Sequence, residues 1–301
     1  MRRQHGMAVV MALLLVALSA SVSALVLWQQ RLWLHQVELD HHRAQMRLWL
    51  DAQLVWAASR LCLAGVVTLS QPWAQPFHLR EQQYVLDARL LDMQARLNLN
   101  ALALPGGIIN QQQLAHYRQL LLALQLPLSL ADALVQWRGL QRADQPVRVP
   151  ALPRQRALDD WDHLLQVPGY TPALLARLQP YAAVLEDTDG RVNLNTAPLL
   201  LLQAMLPQQA GGVLAQLVAQ REQQAFLDEA DFRARLNAAD FPAGSFTTTS
   251  RWFLLQATVR HGRYGRGLEA LFHLDGRQAR LVWRRHQALL PLARVTVSGA
   301  D

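Results

Sequence analysis

The stretch MAVVMALLLVALSASVSALVLW, Met7 to Trp28, contains no charged residue and comes after a polar leader, Met1 to Gly6, that carries Arg2 and Arg3. A helix rises about 1.5 Å per residue, so this run is long enough to cross a hydrocarbon core of roughly 30 Å. Positive charge on its N-terminal side orients the leader to the cytoplasm and sends the rest of the chain outward, in a bacterium into the periplasm. The stretch reads as a signal anchor or as a cleaved secretory signal with Val22, Ser23 and Ala24 as the small-residue site. The apolar run continues past that site to Trp28, which favours the anchor.

Working outward, Trp28, Leu32, Leu39, Met46, Leu50, Leu54, Ala57 and Leu61 recur at near-helical spacing, and no proline intervenes before Pro72. This predicts one long helix, its first half in lipid and its second half packed on a soluble body. Asp40, His41, His42 and Arg43 interrupt the stripe and read as solvated surface. Met93, Ala95, Leu97 and Leu99 alternate with polar residues and predict a half-buried strand. Between Ala101 and Leu236, helical segments are separated by proline and glycine: Gln111 to Leu126, Leu130 to Leu140, Asp160 to Val167, Pro172 to Leu178, Pro198 to Met205 and Gly212 to Gln223. Gln141 to Arg156, with three prolines, reads as a loop. Strand alternation returns at Phe253 to Val259. A turn comes next over Gly262 to Gly267, then Ala270 to Leu274 alternates, and Asp275-Gly276 marks a hairpin before Ala279 to Trp283.

The fold class expected is α+β, a long N-terminal helix packed on an antiparallel sheet with a large inserted α-helical domain. The expected divisions are a leader (1–6), a membrane helix (7–28), helix and first strands (29–100), the inserted helical domain (101–236) and the C-terminal strands (237–301).

With 301 residues, 51% of them hydrophobic, the chain can bury one large or two ordinary cores. A single cysteine, Cys62, precludes an internal disulfide and reads as a small core residue. All 29 basic residues are arginine and the formal charge is +7. Nine arginines lie between Arg251 and Arg294 against Glu269 and Asp275. Such a patch suits an acidic partner, anionic lipid, nucleic acid or simply a solvated sheet face. No nucleophile elbow, zinc-binding helix motif or phosphate-binding glycine loop is present, and the histidines lack ligand spacing, so the chain does not read as an enzyme.

The basic leader, Gly6, and an apolar helix starting at Met7 together resemble the N-terminus of a type IV prepilin. The resemblance implies cleavage after Gly6 by a prepilin peptidase and N-methylation of Met7. Most pilins and pseudopilins carry Glu at the fifth position after cleavage, where it neutralises a neighbouring amino terminus. Here that position is Met11. The missing Glu and the large size resemble the minor pseudopilin K family of type II secretion. Arg96-Leu-Asn-Leu-Asn-Ala101 and Arg191-Val-Asn-Leu-Asn-Thr-Ala197 echo each other, each containing an Asn that can cap the next helix or turn. The second, with Pro198, resembles that family's Asn-Leu-Asn-Thr-Ala-Pro motif, and Ser245 to Ser250 resembles its approach to the last sheet. The resemblance implies a pilin-like fold and assembly with sibling minor pseudopilins at the tip of the pseudopilus. It also implies an inner-membrane location with a periplasmic body, and contact with secreted proteins. It suggests calcium too, with Glu186, Asp187 and Asp189, or Asp159, Asp160 and Asp162, as oxygen ligands. Asp-Gly is equally ordinary turn chemistry.

The Val-Asn-Leu-Asn-Thr-Ala segments also resemble anchored helix-hairpin-helix DNA receptors. Such hairpins use paired glycines to bring backbone N–H groups to a phosphate. Thr171 replaces the second glycine of Val167-Pro-Gly-Tyr-Thr171, and Leu206-Pro-Gln-Gln-Ala210 has neither, so nucleic acid is the lesser reading.

Overall fold

The uncharged stretch and the residues after it form one helix, α1 (Gln4–Arg60). The structure is a computed structural model that describes residues 4–63, 65–81, 83–141, 157–237, 241–262 and 264–289. Arg2, Arg3, Arg263, Arg294 and most of the Gln141 to Arg156 loop lie outside the described residues, as do the surroundings of Gly6 and the side chain of Met7.

Met46, Leu50, Ala57 and Leu61 are buried along one side of the second half of α1 and its end. They pack on a five-stranded antiparallel sheet: β1 (Phe77–Glu81), β2 (Tyr84–Asp92), β3 (Trp252–His261), β4 (Tyr264–Asp275) and β5 (Gln278–Leu289), in that spatial order. Alternate residues Phe253, Leu255, Ala257 and Val259 of β3 face α1, together with Leu86, Ala88 and Leu90 of β2. Asp92 lies opposite Phe253 in the register, so everything between them leaves and rejoins the sheet at one end. At the opposite end, Tyr84 and Tyr264 both pair with His261.

The hairpin between β4 and β5 turns through Gly276 and Arg277, with Asp275 opposite Gln278. Gly276 has φ +61°, so a glycine stands at the first central position, as a type II′ turn requires. The preceding turn is shorter than its glycines suggest, because β4 begins at Tyr264 and takes in Gly265 and Gly267.

The expected strand over Met93 to Leu99 is not one. Two short 3-10 turns, Met93–Ala95 and Leu99–Leu102, flank a two-residue bridge at Leu97–Asn98. The alternation misleads because the polar members are buried as well: Gln94, Asn98 and Asn100 all lie inside, held by hydrogen bonds rather than by water. The true strands, β1 and β2, come earlier.

The helices between β2 and β3 are α2 (Gln111–Ala123), α3 (Ser129–Trp137), α4 (Pro172–Leu178), α5 (Leu199–Met205), α6 (Gly211–Gln220) and α7 (Glu229–Leu236), with a 3-10 helix at Trp161–Gln166. Pro172 and Gly211 open α4 and α6, and Pro198 stands just before α5, which is why those starts are visible in sequence. α7 lacks such a marker at its start, where Asp228 caps it instead. These helices share one core, including Leu99, Leu120, Leu134, Leu164, Leu202 and Phe226, separate from the core under α1. A third, small cluster on the other face of the sheet, Trp252, Leu254 and Leu271 against Ala183 and Leu185, joins the two.

Candidate functional site

In α1, each apolar residue whose exposure is resolved between Val10 and Trp28 is uncovered; Met11 is 62% exposed and no carboxylate replaces it. Further along α1, the side away from the sheet keeps Leu48 at 66% and Val55 at 72% exposure, seven residues and thus about two turns apart. Cys62, expected in the core, is exposed just past the helix end, where Leu61 takes the buried position. His41 is exposed as expected. His42 is not simply solvated: its ring stacks on His261 at 4.0 Å and its Nδ1 lies 2.8 Å from the Tyr84 hydroxyl.

The two Asn-Leu-Asn segments have matching geometry. Asn98 Oδ1 accepts from the Asn100 N–H at 3.1 Å, and Asn193 Oδ1 from the Asn195 N–H at 3.0 Å. Each second Asn closes an amide pair with a distant backbone. Asn100 accepts from Leu158 N–H (2.9 Å) and donates to its carbonyl (2.8 Å); Asn195 does the same with Phe226 (2.8 and 2.9 Å). Two residues beyond each target stands an Asp N-cap, Asp160 or Asp228. Each first Asn also sits in a two-residue parallel bridge, Leu97–Asn98 with Ala182–Ala183 and Val192–Asn193 with Phe246–Thr247.

The middle Leu of each segment is satisfied by a buried arginine that ends a helix. Arg138, after α3, donates to the Leu99 carbonyl at 2.9 Å, and Arg221, after α6, to the Leu194 carbonyl at 2.6 Å. Burial lowers both guanidinium pKa values, that of Arg138 to about 10. The sequence does not announce these arginines; the only signal is that each ends the second helix after its Asn-Leu-Asn.

The two segments reach the sheet through different carboxylates. The Asp92 carboxylate at the end of β2 accepts from Thr196 (2.6 Å), Ser250 (2.6 Å) and Asn193 (3.1 Å), and from the Gln94 N–H (2.8 Å). Burial raises its pKa against the pull of these four donors. The first segment reaches it through Asp187, whose carbonyl and carboxylate accept from Asn98 at 2.8 and 3.3 Å while the carboxylate also accepts from the Trp252 indole of β3.

The aspartates suggested as calcium ligands have other partners. Asp187 accepts from the Trp252 indole at 2.6 Å, Asp189 pairs with Arg191 at 2.8 Å and Arg251 at 3.6 Å, and Glu186 is exposed. Burial alone would raise the Asp189 pKa, but Arg191 and Arg251 hold it below the usual value. Gly190 is explained by packing, since a Cβ there would collide with the Gln113 amide. Asp160 and Asp162 both pair with Arg285, at 3.1 and 2.8 Å, and Asp159 approaches His163. Among the described residues no three His, Cys, Asp or Glu side chains converge, and these carboxylates do not fit a calcium ion. The arginines of the C-terminal strands are thus partly spent inside the protein.

The hairpins do not form a phosphate cradle either. Tyr170 is buried, with its hydroxyl 2.6 Å from that of Tyr117, and Thr171 caps α4.

A long helix with an uncovered apolar half, packed through its other half on an antiparallel sheet that a helical unit interrupts, defines a pilin-like subunit. Residues 95–187 and 192–249 match two family profiles, both described as type II secretion system (T2SS), protein K, and together they take in half of the chain. The chain belongs to this family, that of the type II secretion minor pseudopilin K. Each profile covers one Asn-Leu-Asn copy. A chain of the crystal structure of the GspK-GspI-GspJ complex from the enterotoxigenic Escherichia coli type 2 secretion system shares the fold. The TM-score is 0.67 at 22% identity, over 83% of this chain and 99% of that one. No curated protein matches the chain.

Proposed function

We propose that this pseudopilin occupies the tip of the type II secretion pseudopilus, where it initiates and caps the fibre together with sibling minor pseudopilins. The observation that carries the reading is α1 itself. It runs unbroken from an uncovered apolar half with Met11, and no acidic residue, near its start to the sheet it packs on. A subunit without that carboxylate has nothing to offer the amino terminus of a neighbour and suits the end of a fibre. The 101–236 region would provide the bulk that stops addition above it. Exposed Leu48 and Val55 would pack against sibling helices, and the siblings would correspond to GspI and GspJ of the Escherichia coli complex.

In this reading the precursor rests in the inner membrane with its body in the periplasm. Prepilin peptidase then cuts after Gly6 and methylates Met7. The protein acts as a structural subunit, with no catalytic step assigned to it.

Intact mass spectrometry of protein recovered from membranes, with and without the peptidase, tests the processing. A mature chain beginning at methylated Met7 only when the peptidase is present is the expected result; a chain beginning at Leu25 would contradict it. Labelling isolated fibres tests the position. Signal confined to one end is expected, and signal repeating along the shaft would sink the tip assignment.

A further inference from the structure

Along α1 from its start, His42 is the first described residue that the body covers. Each residue before it whose exposure is resolved is exposed, and Gln45 and Met46 follow it under cover. His42 therefore marks the point where α1 leaves the body.

What covers it is the end of the sheet. β3 finishes at His261, which faces α1 as do Phe253, Leu255, Ala257 and Val259. Tyr84 of β2 and Tyr264 of β4 stand opposite it in the register. The His42 and His261 rings stack with centroids 4.0 Å apart and planes 26° from parallel. Tyr84 lies against both, its ring 4.5 Å from His261 and its hydroxyl 2.8 Å from His42 Nδ1.

A charged imidazole can stack on a neutral one, but two charged rings at this distance repel, so the pair takes up its protons in separate steps. The charges around the pair do not cancel a second proton. On α1, Asp40 is engaged by Arg43 at 3.1 Å and His41 is itself basic. On the sheet, Glu81 is exposed at the end of β1, one strand beyond Tyr84 in the register. Arg266 and His286 lie on the α1 side of β4 and β5, opposite Val259 and Leu268, and add only basic groups; Arg260 points to the other side. Among the described residues the hydrogen-bonding partner of the pair is Tyr84, not a carboxylate. Burial and His42 together hold the His261 pKa below its ordinary value.

We propose that His42 and His261 form an acid-sensitive clasp. With at most one proton on the pair, α1 is held to the end of the sheet from His42 onward; with two, the clasp opens and α1 leaves the body about one turn later, at buried Met46. Because the His261 pKa is lowered in the closed state, the contribution of the clasp is complete above 6.5 and is lost as pH falls below it. The clasp lies within one subunit and does not depend on where in a fibre that subunit sits.

The test uses the full chain in detergent with nitrogen-15 in its histidine rings, titrated by NMR from about pH 8 to 4.5, together with hydrogen exchange read by mass spectrometry. Ring signals that disappear in His42→Phe and in His261→Phe identify the pair. The two rings are expected to take up protons about one pH unit or more apart, and the lower step should move up toward the upper one in either variant. Amide exchange over Tyr84 to Leu86 and Thr258 to His261, corrected for the intrinsic effect of pH, should speed up about tenfold or more between pH 7.5 and 5. In His261→Phe, which keeps an aromatic ring on His42 that cannot be charged, the rise should stay under about threefold. His42→Phe should behave in the same way and keeps the test sound should one variant disturb the fold. His116→Leu removes a buried histidine elsewhere and should leave the rise in place. Proton uptake by both rings at a single pH, a rise that survives both phenylalanine variants, or a rise of equal size throughout the body would each overturn the clasp.

Discussion

The two Asn-Leu-Asn copies solve the same local problem and then part ways. In both, the second Asn closes an amide pair with one distant residue, Asn100 donating to the Leu185 carbonyl as well, and a buried arginine caps the middle carbonyl. The first Asn differs: Asn98 reaches Asp187, which takes the Trp252 indole of β3, whereas Asn193 reaches Asp92 at the end of β2. Copy one is therefore tied to the sheet through a carboxylate partly open to water. Copy two is tied to it through a buried one.

The largest break in this comparison should come from Asp92→Ala. Removing the shared acceptor leaves the Thr196 and Ser250 hydroxyls as buried donors without their acceptor and costs Asn193 one of its three, about 3 kcal/mol or more in urea titrations of the solubilised chain. The same measurement should separate the first asparagines. Asn193→Ala should cost about 1 kcal/mol more than Asn98→Ala, because only it strips Asp92 of a donor. If the two cost the same, the fastening lies elsewhere.

The second asparagines sharpen the comparison. Asn195→Ala opens one N–H and one carbonyl and should lose about 2–3 kcal/mol, and Asn100→Ala, which opens one N–H and two carbonyls, about 1 kcal/mol more.

Acid should act through two buried titratable groups. His116 of α2 is buried and its pKa is pushed down to about 4 by burial, so the folded state holds it neutral while the unfolded state protonates near 6.5. Its contribution is complete above 6.5 and is lost as pH falls toward 4, up to about 3 kcal/mol. Asp92 runs the opposite way: with a folded pKa above 3.8, it favours the folded state more as pH drops toward 3.8. Melting curves from pH 7 to 4 should therefore flatten in His116→Leu and steepen in Asp92→Asn.

The smallest effect is expected from Arg284→Ala. Its 3.3 Å pair with Asp51 joins β5 to α1 across a half-exposed surface, and loss should stay below about 1 kcal/mol and vanish in high salt.

Whatever depends on neighbours in sequence could be read in the chain. The long helix comes from an uncharged run and the absence of proline before Pro72; α4 and α6 come from Pro172 and Gly211; β3 to β5 come from alternation around Gly276. The echo of Asn-Leu-Asn was visible, as were Met11 and the leader glycine.

Features that depend on partners far along the chain could not be read. Alternation at Met93 to Leu99 looked like a strand because nothing local shows that Asn98 and Asn100 are buried by bonds to Leu185 and Leu158. Glu186, Asp187 and Asp189 looked like a cation site because Trp252 and Arg251, which engage the two aspartates, are some 60 residues away. Burial and pairing are set by the register of strands and the packing of modules, and local periodicity carries no record of either. The sequence by itself determined a long helix with an apolar half, an interrupted sheet and a duplicated turn. Only the tertiary structure decided that Asp92 and Asp187 join the two parts, because both carboxylates find their partners far along the chain.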